Sequence, residues 1–227
     1  MIFRQLFDPE SSTLTYLIAD DQGSSVIIDP VLEHVEDYLS LLKSHGLTLR
    51  MVLDTHVHAD HITGSQALKK HTCATTVIAQ NCGAPGYDRL LKDGDTLTFS
   101  SETIRVIATP GHTPGSLCYL WRDRLFSGDT LTINACGRTD LQNGSAVEMY
   151  HSIIEKLFTL PDETLVYPGH DYKGRRVSSI GEEKVLNTRI VGKSAAEFVE
   201  IMNSLNLTTP KRIHEAIPAN LLGGIQP

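Results

Sequence analysis

The chain has 227 residues, of which 41% are hydrophobic and 21% charged, and its formal net charge is −7. That length builds a globular core without help from disulfides, and an acidic balance with no Lys- or Arg-rich run argues against a nucleic-acid partner. No apolar run approaches the roughly 18 residues of a membrane span, and Met1 to Asp8 is too short in apolar run for a secretory signal, so no membrane partner and a cytoplasmic location are expected.

Residues 3–7 and 13–19 read as strands around a Pro9-Glu10-Ser11 turn, and Val26-Ile27-Ile28 as a third that ends at Asp29-Pro30. Val35, Leu39 and Leu42 recur at helical spacing, and Gly46 stops that helix. Residues 49–53 form the strand that leads into Thr55-His56-Val57-His58-Ala59-Asp60-His61, and residues 62–71 read as a helix after it. Residues 75–79 are a strand, and residues 80–91 a loop holding Gly83, Pro85 and Gly86. Strands follow near 96–99, 104–109, 117–120 and 125–126. Ser145-x-x-Glu148, Ser179-x-x-Glu182 and Ser194-x-x-Glu197 are capping-box patterns that open three helices. Between the first two lies the strand Leu165-Val166-Tyr167. The tail from Thr208 carries three prolines and reads as irregular. This order predicts an α/β chain, a four-layer α/β/β/α sandwich in one domain. The four cysteines form no C-x-x-C pair and suit free thiols in a reducing compartment. Cys73 and Cys118 read as buried small hydrophobes.

The stretch from Thr55 to His61 carries the strongest chemical signal. It sits at a strand-to-helix junction, where an α/β sheet places its ligands. His56 and His58 are two apart and point the same way on extended backbone, while Asp60 and His61 fall on the turn and can aim elsewhere. Neutral imidazole is the commonest ligand for a transition metal, with carboxylates as partners or orienters. The plain alternative is a polar loop with surface histidines. Three later residues repeat the local logic. His112, Asp129 and His170 each follow a short apolar run beside glycine, which lets the next side chain project from a sheet edge. Each alone reads equally well as a turn. Together they make seven potential ligands at four strand ends.

The histidine cluster with Gly111-His112, Gly128-Asp129 and Gly169-His170 resembles the metallo-β-lactamase superfamily over about residues 12–172. That resemblance implies the α/β/β/α sandwich with a metal site at one edge. The rest, from about residue 173 to 227, is then a helical or irregular extension of a single domain. Further stretches narrow the resemblance: Ala59-Asp60-His61-Ile62-Thr63-Gly64-Ser65, Thr109-Pro110-Gly111-His112-Thr113-Pro114-Gly115, Ala135-Cys136-Gly137-Arg138-Thr139-Asp140, His170-Asp171-Tyr172 and Ile217-Pro218-Ala219-Asn220. This set is similar, nearly end to end, to the persulfide dioxygenases, the sulfur dioxygenase family linked to ethylmalonic encephalopathy. The resemblance implies one Fe(II) per chain held by His56, His112 and Asp129. His58, Asp60, His61 and His170 would then surround and orient the ligands. Two imidazoles and a carboxylate make a facial triad that leaves positions open on iron. The implied reaction oxidises glutathione persulfide with dioxygen and water to sulfite and glutathione, with no protein nucleophile, in a homodimer. Arg138 and Tyr172 are the candidate substrate contacts. An arginine fork suits a glutathione carboxylate, and a phenol can hydrogen-bond the peptide or the sulfur region. Arg138 has an alternative role as an ion pair with Asp140. Cys136 either faces the site or packs inside its loop.

The rival reading is a hydroxyacylglutathione hydrolase with two metals. His56, His58, His112 and Asp129 would hold one, and Asp60, His61, Asp129 and His170 the other, so ligand content does not decide. Arg138 is followed by Thr139-Asp140 where those hydrolases usually carry an aromatic pair. The tail after His170 is also short for their substrate domain. Both features favour the dioxygenase. A degenerate binding module would be expected to lose ligands, and none is missing. Asn134-Ala135 and Gly169 depart from the usual dioxygenase pattern and put the preferred persulfide in question.

Overall fold

The computed structural model describes residues 1–225; Gln226 and Pro227, the end of the predicted tail, lie outside the described residues. The chain forms two compact units. One comprises Met1–Leu91, Leu97–Thr103 and the residues from Thr209 onward, the other Lys92–Thr96 and Ile104–Thr208.

The first unit is built on β1 (Ile2–Phe7), β2 (Leu14–Ala19), β3 (Ser24–Ile28), β4 (Thr48–Leu53), β5 (Thr75–Ala79) and β6 (Arg89–Leu91), which lie in that order in one sheet. β1–β2 and β2–β3 pair antiparallel, as the three short strands predict. β3–β4, β4–β5 and β5–β6 pair parallel. Parallel pairing brings the C-terminal ends of β3, β4 and β5 to one edge, which is where α/β sheets bind ligands. Every residue of β2 and β3 is buried, so these strands read as apolar runs rather than as an alternation. Helix α1 (Val35–Ser44) buries Val35, Tyr38 and Leu42 against Leu17, Ile27, Leu49 and Val52. It ends at Gly46, whose φ of 63° favours glycine.

Helix α2 spans Ser65–Thr72, three residues later than expected. Residues 62–64 are held elsewhere. The Ile62 carbonyl accepts from Leu32 N–H at 2.8 Å, and Gly64 N–H donates to the Pro30 carbonyl at 2.8 Å. Thr63 bridges Val31. Cys73, expected to be buried, is exposed at the C-cap of α2 in the left-handed region. The expected loop at 80–91 contains a 3₁₀ turn at Gln80–Cys82 and the edge strand β6. Three residues led by an arginine give no alternation to read.

A second sheet, ordered β12-β11-β10-β9-β8-β7, comprises β7 (Thr96–Phe99), β8 (Glu102–Ala108), β9 (Leu117–Trp121), β10 (Arg124–Gly128), β11 (Leu165–Pro168) and β12 (Ser178–Ser179). β10 and β11 are parallel, with Gly128 opposite Pro168. That register sets the residues after each strand side by side. Helices α3 (Ala146–His151), α4 (Ile180–Leu186) and α5 (Ala195–Ser204) start at Ser145, Ser179 and Ser194, whose side chains accept from the N–H three residues on. Only α5 completes the reciprocal capping box. α3 runs on as a π-helical stretch, Ser152–Leu157, closed by Phe158 N–H on the Ile153 carbonyl five residues back. Met149, Ile153, Leu157, Phe198 and Met202 pack on Ile107, Leu125 and Val166.

The tail returns to the first unit as α6 (Ile213–Leu221), where an irregular segment was expected. Pro218 misled the sequence reading. It removes one backbone donor, but a short helix carries that loss. Among the described residues no helix is long and apolar enough to cross a membrane.

Candidate metal centre

In the first unit the cluster sits in the irregular stretch after β4. His56, His58 and His61 are buried and Asp60 is half-buried. The ring centroids of His56 and His58 lie 4.1 Å apart, and those of His58 and His61 4.3 Å. His58, Asp60 and His61 each offer a ligand atom within 4.8 Å of the others. Of the directions the turn leaves open to Asp60 and His61, the structure takes the one that brings them beside His58.

Hydrogen-bond partners assign the tautomers. Thr55 Oγ1 donates to Asp29 Oδ2 at 2.8 Å and lies 3.0 Å from His56 Nδ1. A hydroxyl that has given its proton to a carboxylate can only accept from the ring. His56 therefore carries its proton on Nδ1 and its lone pair on Nε2. His58 Nε2 lies 3.0 Å from Asp29 Oδ1, which puts its proton on Nε2. His61 Nδ1 lies 3.0 Å from Asp60 Oδ2, which puts its lone pair on Nε2.

Asp29 and Asp54 carry this arrangement, and the sequence reading passed over both. Asp29 follows β3 and has φ 51° in front of Pro30, a costly conformation for a non-glycine residue. It aims the carboxylate at Thr55 N–H, 2.7 Å away, besides Thr55 Oγ1 and His58. Asp54 accepts from Thr63, Ser65 and Tyr87 hydroxyls at 2.9, 2.6 and 2.7 Å. Burial pushes both carboxyls above the ordinary carboxylate range, against the pull of these donors and the neighbouring histidines. The available signal was an acid directly after an apolar strand run, the feature that marks Asp129, but here without its glycine.

In the second unit His112 follows β8, Asp129 follows β10 and His170 follows β11. Gly111 has φ 144°, and a Cβ there would lie 2.4 Å from the Met149 backbone, so only glycine turns the chain this close to α3. His112 Nδ1 lies 2.7 Å from the Arg138 carbonyl. The ring therefore donates from Nδ1 and carries its lone pair on Nε2. His170 Nδ1 lies 2.7 Å from Asp129 Oδ1 and donates to it. His112 Nε2 and Asp129 Oδ2 then face each other at 3.6 Å. Two glycines wall this pair. A Cβ at Gly137 would lie 2.4 Å from the Asp129 carbonyl and 3.0 Å from His112 Nδ1, and one at Gly169 would lie 2.9 Å from Asp129 Oδ1. The departure at Gly169 thus gives the carboxylate room.

Arg138 forms a fork with Asp140 through two 2.7 Å hydrogen bonds and also donates to the Thr208 and Leu207 carbonyls. The guanidinium assigned to a glutathione carboxylate is closed on its neighbour. Its contribution to the centre is the carbonyl that orients His112. Tyr172 is 77% exposed, with its ring stacked on His170 at 6.0 Å. Cys136 packs inside its loop, 3.7 Å from the Met202 sulfur, and burial pushes its thiol up to about 11, far from thiolate at neutral pH.

Histidines and aspartates at strand ends of a two-sheet α/β chain define the metallo-β-lactamase class of metal-dependent enzymes. The model described as the metallo-beta-lactamase superfamily matches residues 8–170, and the chain belongs to that superfamily. It is 43% identical over 229 residues to persulfide dioxygenase ETHE1, mitochondrial, of Homo sapiens, covering 100% of this chain and 90% of that protein. The crystal structure of ETHE1 from Myxococcus xanthus is 55% identical, with a TM-score of 0.97 over 99% of this chain and 100% of that one. Within the superfamily the chain belongs to the persulfide dioxygenase family, as its motifs predict. Hydroxyacylglutathione hydrolase of Brucella anthropi is also 43% identical, but over 58% of this chain and 51% of that protein. The dioxygenase reading holds over the hydrolase.

Proposed function

We propose that this persulfide dioxygenase uses one Fe(II) per chain, held by His56, His112 and Asp129, to oxidise glutathione persulfide. Glutathione persulfide, dioxygen and water give glutathione, sulfite and two protons, so both dioxygen atoms and the water oxygen end in sulfite. The observation that carries the metal assignment is the facing pair His112 Nε2 and Asp129 Oδ2, each oriented through its other atom by a fixed partner. The donor chemistry fits iron: two neutral imidazoles with Nε2 lone pairs and one carboxylate. When bound, iron supplies the redox activation of dioxygen that zinc lacks.

The chain's own residues set geometry and charge. Asp29, through Thr55, fixes the His56 tautomer, and the Arg138 carbonyl fixes that of His112. His170 holds the Asp129 carboxylate, and Gly137 and Gly169 let it sit against the backbone. His58, Asp60 and His61 complete the polar surroundings. Tyr172, exposed beside His170, is the residue we assign to glutathione. Arg138 serves that side through the 138–140 loop it pins. We assign the protein to the cytoplasm as a homodimer; its four free cysteines suit a reducing compartment.

Iron-loaded protein is expected to take up dioxygen on addition of glutathione persulfide, with sulfite released one for one and close to one iron per chain by metal analysis. No uptake with iron verified, or two metals per chain, would sink this reading in favour of thioester hydrolysis. Tyr172→Ala is expected to raise the KM for glutathione persulfide about 5- to 30-fold, about 1–2 kcal/mol of binding, with kcat nearly unchanged. An unaltered KM would remove Tyr172 from the substrate site.

A further inference from the structure

The stretch between β4 and α2 carries four candidate ligands or orienters, yet it has little regular backbone pairing of its own. Most of its residues are buried, and buried carbonyls need donors. One side chain supplies two of them. Asn220, 1% exposed on α6, donates from Nδ2 to the His58 carbonyl at 2.9 Å and to the His61 carbonyl at 2.8 Å. Its Oδ1 accepts from Thr63 N–H at 2.8 Å. A single amide therefore ties both ends of the 58–63 turn.

The segment bearing Asn220 is seated closely. Ala216 and Ala219 pack on Ile62, while Ile217 and Leu221 pack with Val57 and Tyr87. Beyond the helix, a Cβ at Gly224 would lie 1.9 Å from the Thr63 carbonyl, and one at Gly86 would lie 2.3 Å from Leu222. Gln66 N–H donates to the Gly223 carbonyl at 2.9 Å. Glycine on both sides of the contact brings backbone to backbone, a geometry that fixes position rather than merely covering apolar surface.

We infer that Asn220 is a positioning residue for the metal centre: it holds the 58–63 turn, and through it the histidine-bearing strand end, in the binding geometry. The inference rests on the iron site proposed above. It differs from a packing role in what its loss does. Removing the amide leaves two buried carbonyls and one N–H to find water, so the turn loosens while the sheet beneath it stays intact.

The test compares Asn220→Ala and Asn220→Asp with a control, Phe198→Leu, in the core of the second unit. Asn220→Asp keeps shape and the acceptor for Thr63 but loses both donations. Cobalt(II) titration followed by its absorption bands reads affinity and coordination, and thermal melting reads the fold. Both Asn220 variants are expected to bind cobalt several-fold more weakly, with altered bands. Phe198→Leu should lower the melting temperature with affinity and bands unchanged. Equal affinity in the Asn220 variants, or the same affinity loss in Phe198→Leu at matched melting temperature, overturns the inference. Native-state hydrogen exchange of the unmodified protein tests it even where variants fail to fold. The amides of 58–63 and of α6 are expected to open together, and independent opening overturns the clamp. If the unmodified protein binds no cobalt or iron, the metal reading itself fails, while exchange still reports on the clamp.

Discussion

Asp129→Ala is expected to abolish tight iron binding and, with it, dioxygenase activity. Asp129 is the only charged group in the proposed triad, and its two oxygens do different work. Oδ2 faces His112 Nε2 at 3.6 Å, and Oδ1 takes the proton side of His170 at 2.7 Å. The substitution removes a ligand, the negative charge that offsets the metal, and the acceptor that orients His170. Loss of an outer partner alone costs about 10- to 100-fold in metal affinity, so the loss of this ligand exceeds that range. Iron per chain after gel filtration falls to near zero, while circular dichroism keeps its native shape. Asp129→Asn separates the roles. Its amide oxygen still accepts from His170, and it retains more metal than alanine but less than aspartate. Full iron content in Asp129→Ala would remove residue 129 from the ligand set.

Gly137→Ala has the second largest effect expected, and it acts by sterics alone. The added methyl would lie 2.4 Å from the Asp129 carbonyl and 3.0 Å from both Asp129 Cβ and His112 Nδ1. The nearest atom is backbone and cannot rotate away. It is also pinned, because Gly137 N–H donates to that same carbonyl at 2.7 Å. Overpacking of this kind costs about 1–3 kcal/mol, and at this chain length each kcal/mol lowers Tm by roughly 2–4 °C. The displaced atoms are those of the proposed ligand pair, so iron content is expected to fall beyond what the stability loss explains. Gly192→Ala is the matched comparison. It has open space around it but φ 69°, so it strains the backbone by about 1 kcal/mol and leaves iron content unchanged. Equal iron content and Tm in Gly137→Ala and the unsubstituted protein would show that the close approach imposes no constraint.

Much of this arrangement was legible in the residues. The strands were readable because short apolar runs end in turn residues, and the histidines because seven ligand-type side chains gather at strand ends. Asp29 and Asp54 were not, because an acid after a strand usually signals a turn; what sets them apart is burial, which appears only in three dimensions. The onset of α2 was misplaced because residues 62–64 bond to the Pro30–Leu32 segment and to Asn220, partners remote in sequence. The Arg138 fork was read as a substrate contact, with Asp140 as the alternative. Spacing alone cannot rank a neighbour two residues away against a ligand, and the observed geometry gives the fork to Asp140. Pro218 argued for irregularity in the tail, and the apolar spacing of Ala216, Ala219 and Leu221 outweighed it.

The amide that ties the histidine turn has a consequence for biosynthesis. Asn220 lies 159 residues after His61. At about 5–20 residues per second, the ribosome extrudes the histidines roughly 8 to 32 seconds before their clamp exists. The sheet beneath can fold in that interval, since its strands all precede residue 92. The three hydrogen bonds from Asn220 to the turn form only when α6 arrives. If Asn220 positions the metal centre as inferred, metal capture on the nascent chain is expected to be weak until α6 has docked. A ribosome-stalled chain that exposes only residues up to about 205 would carry the four first-unit ligands and orienters yet hold little iron.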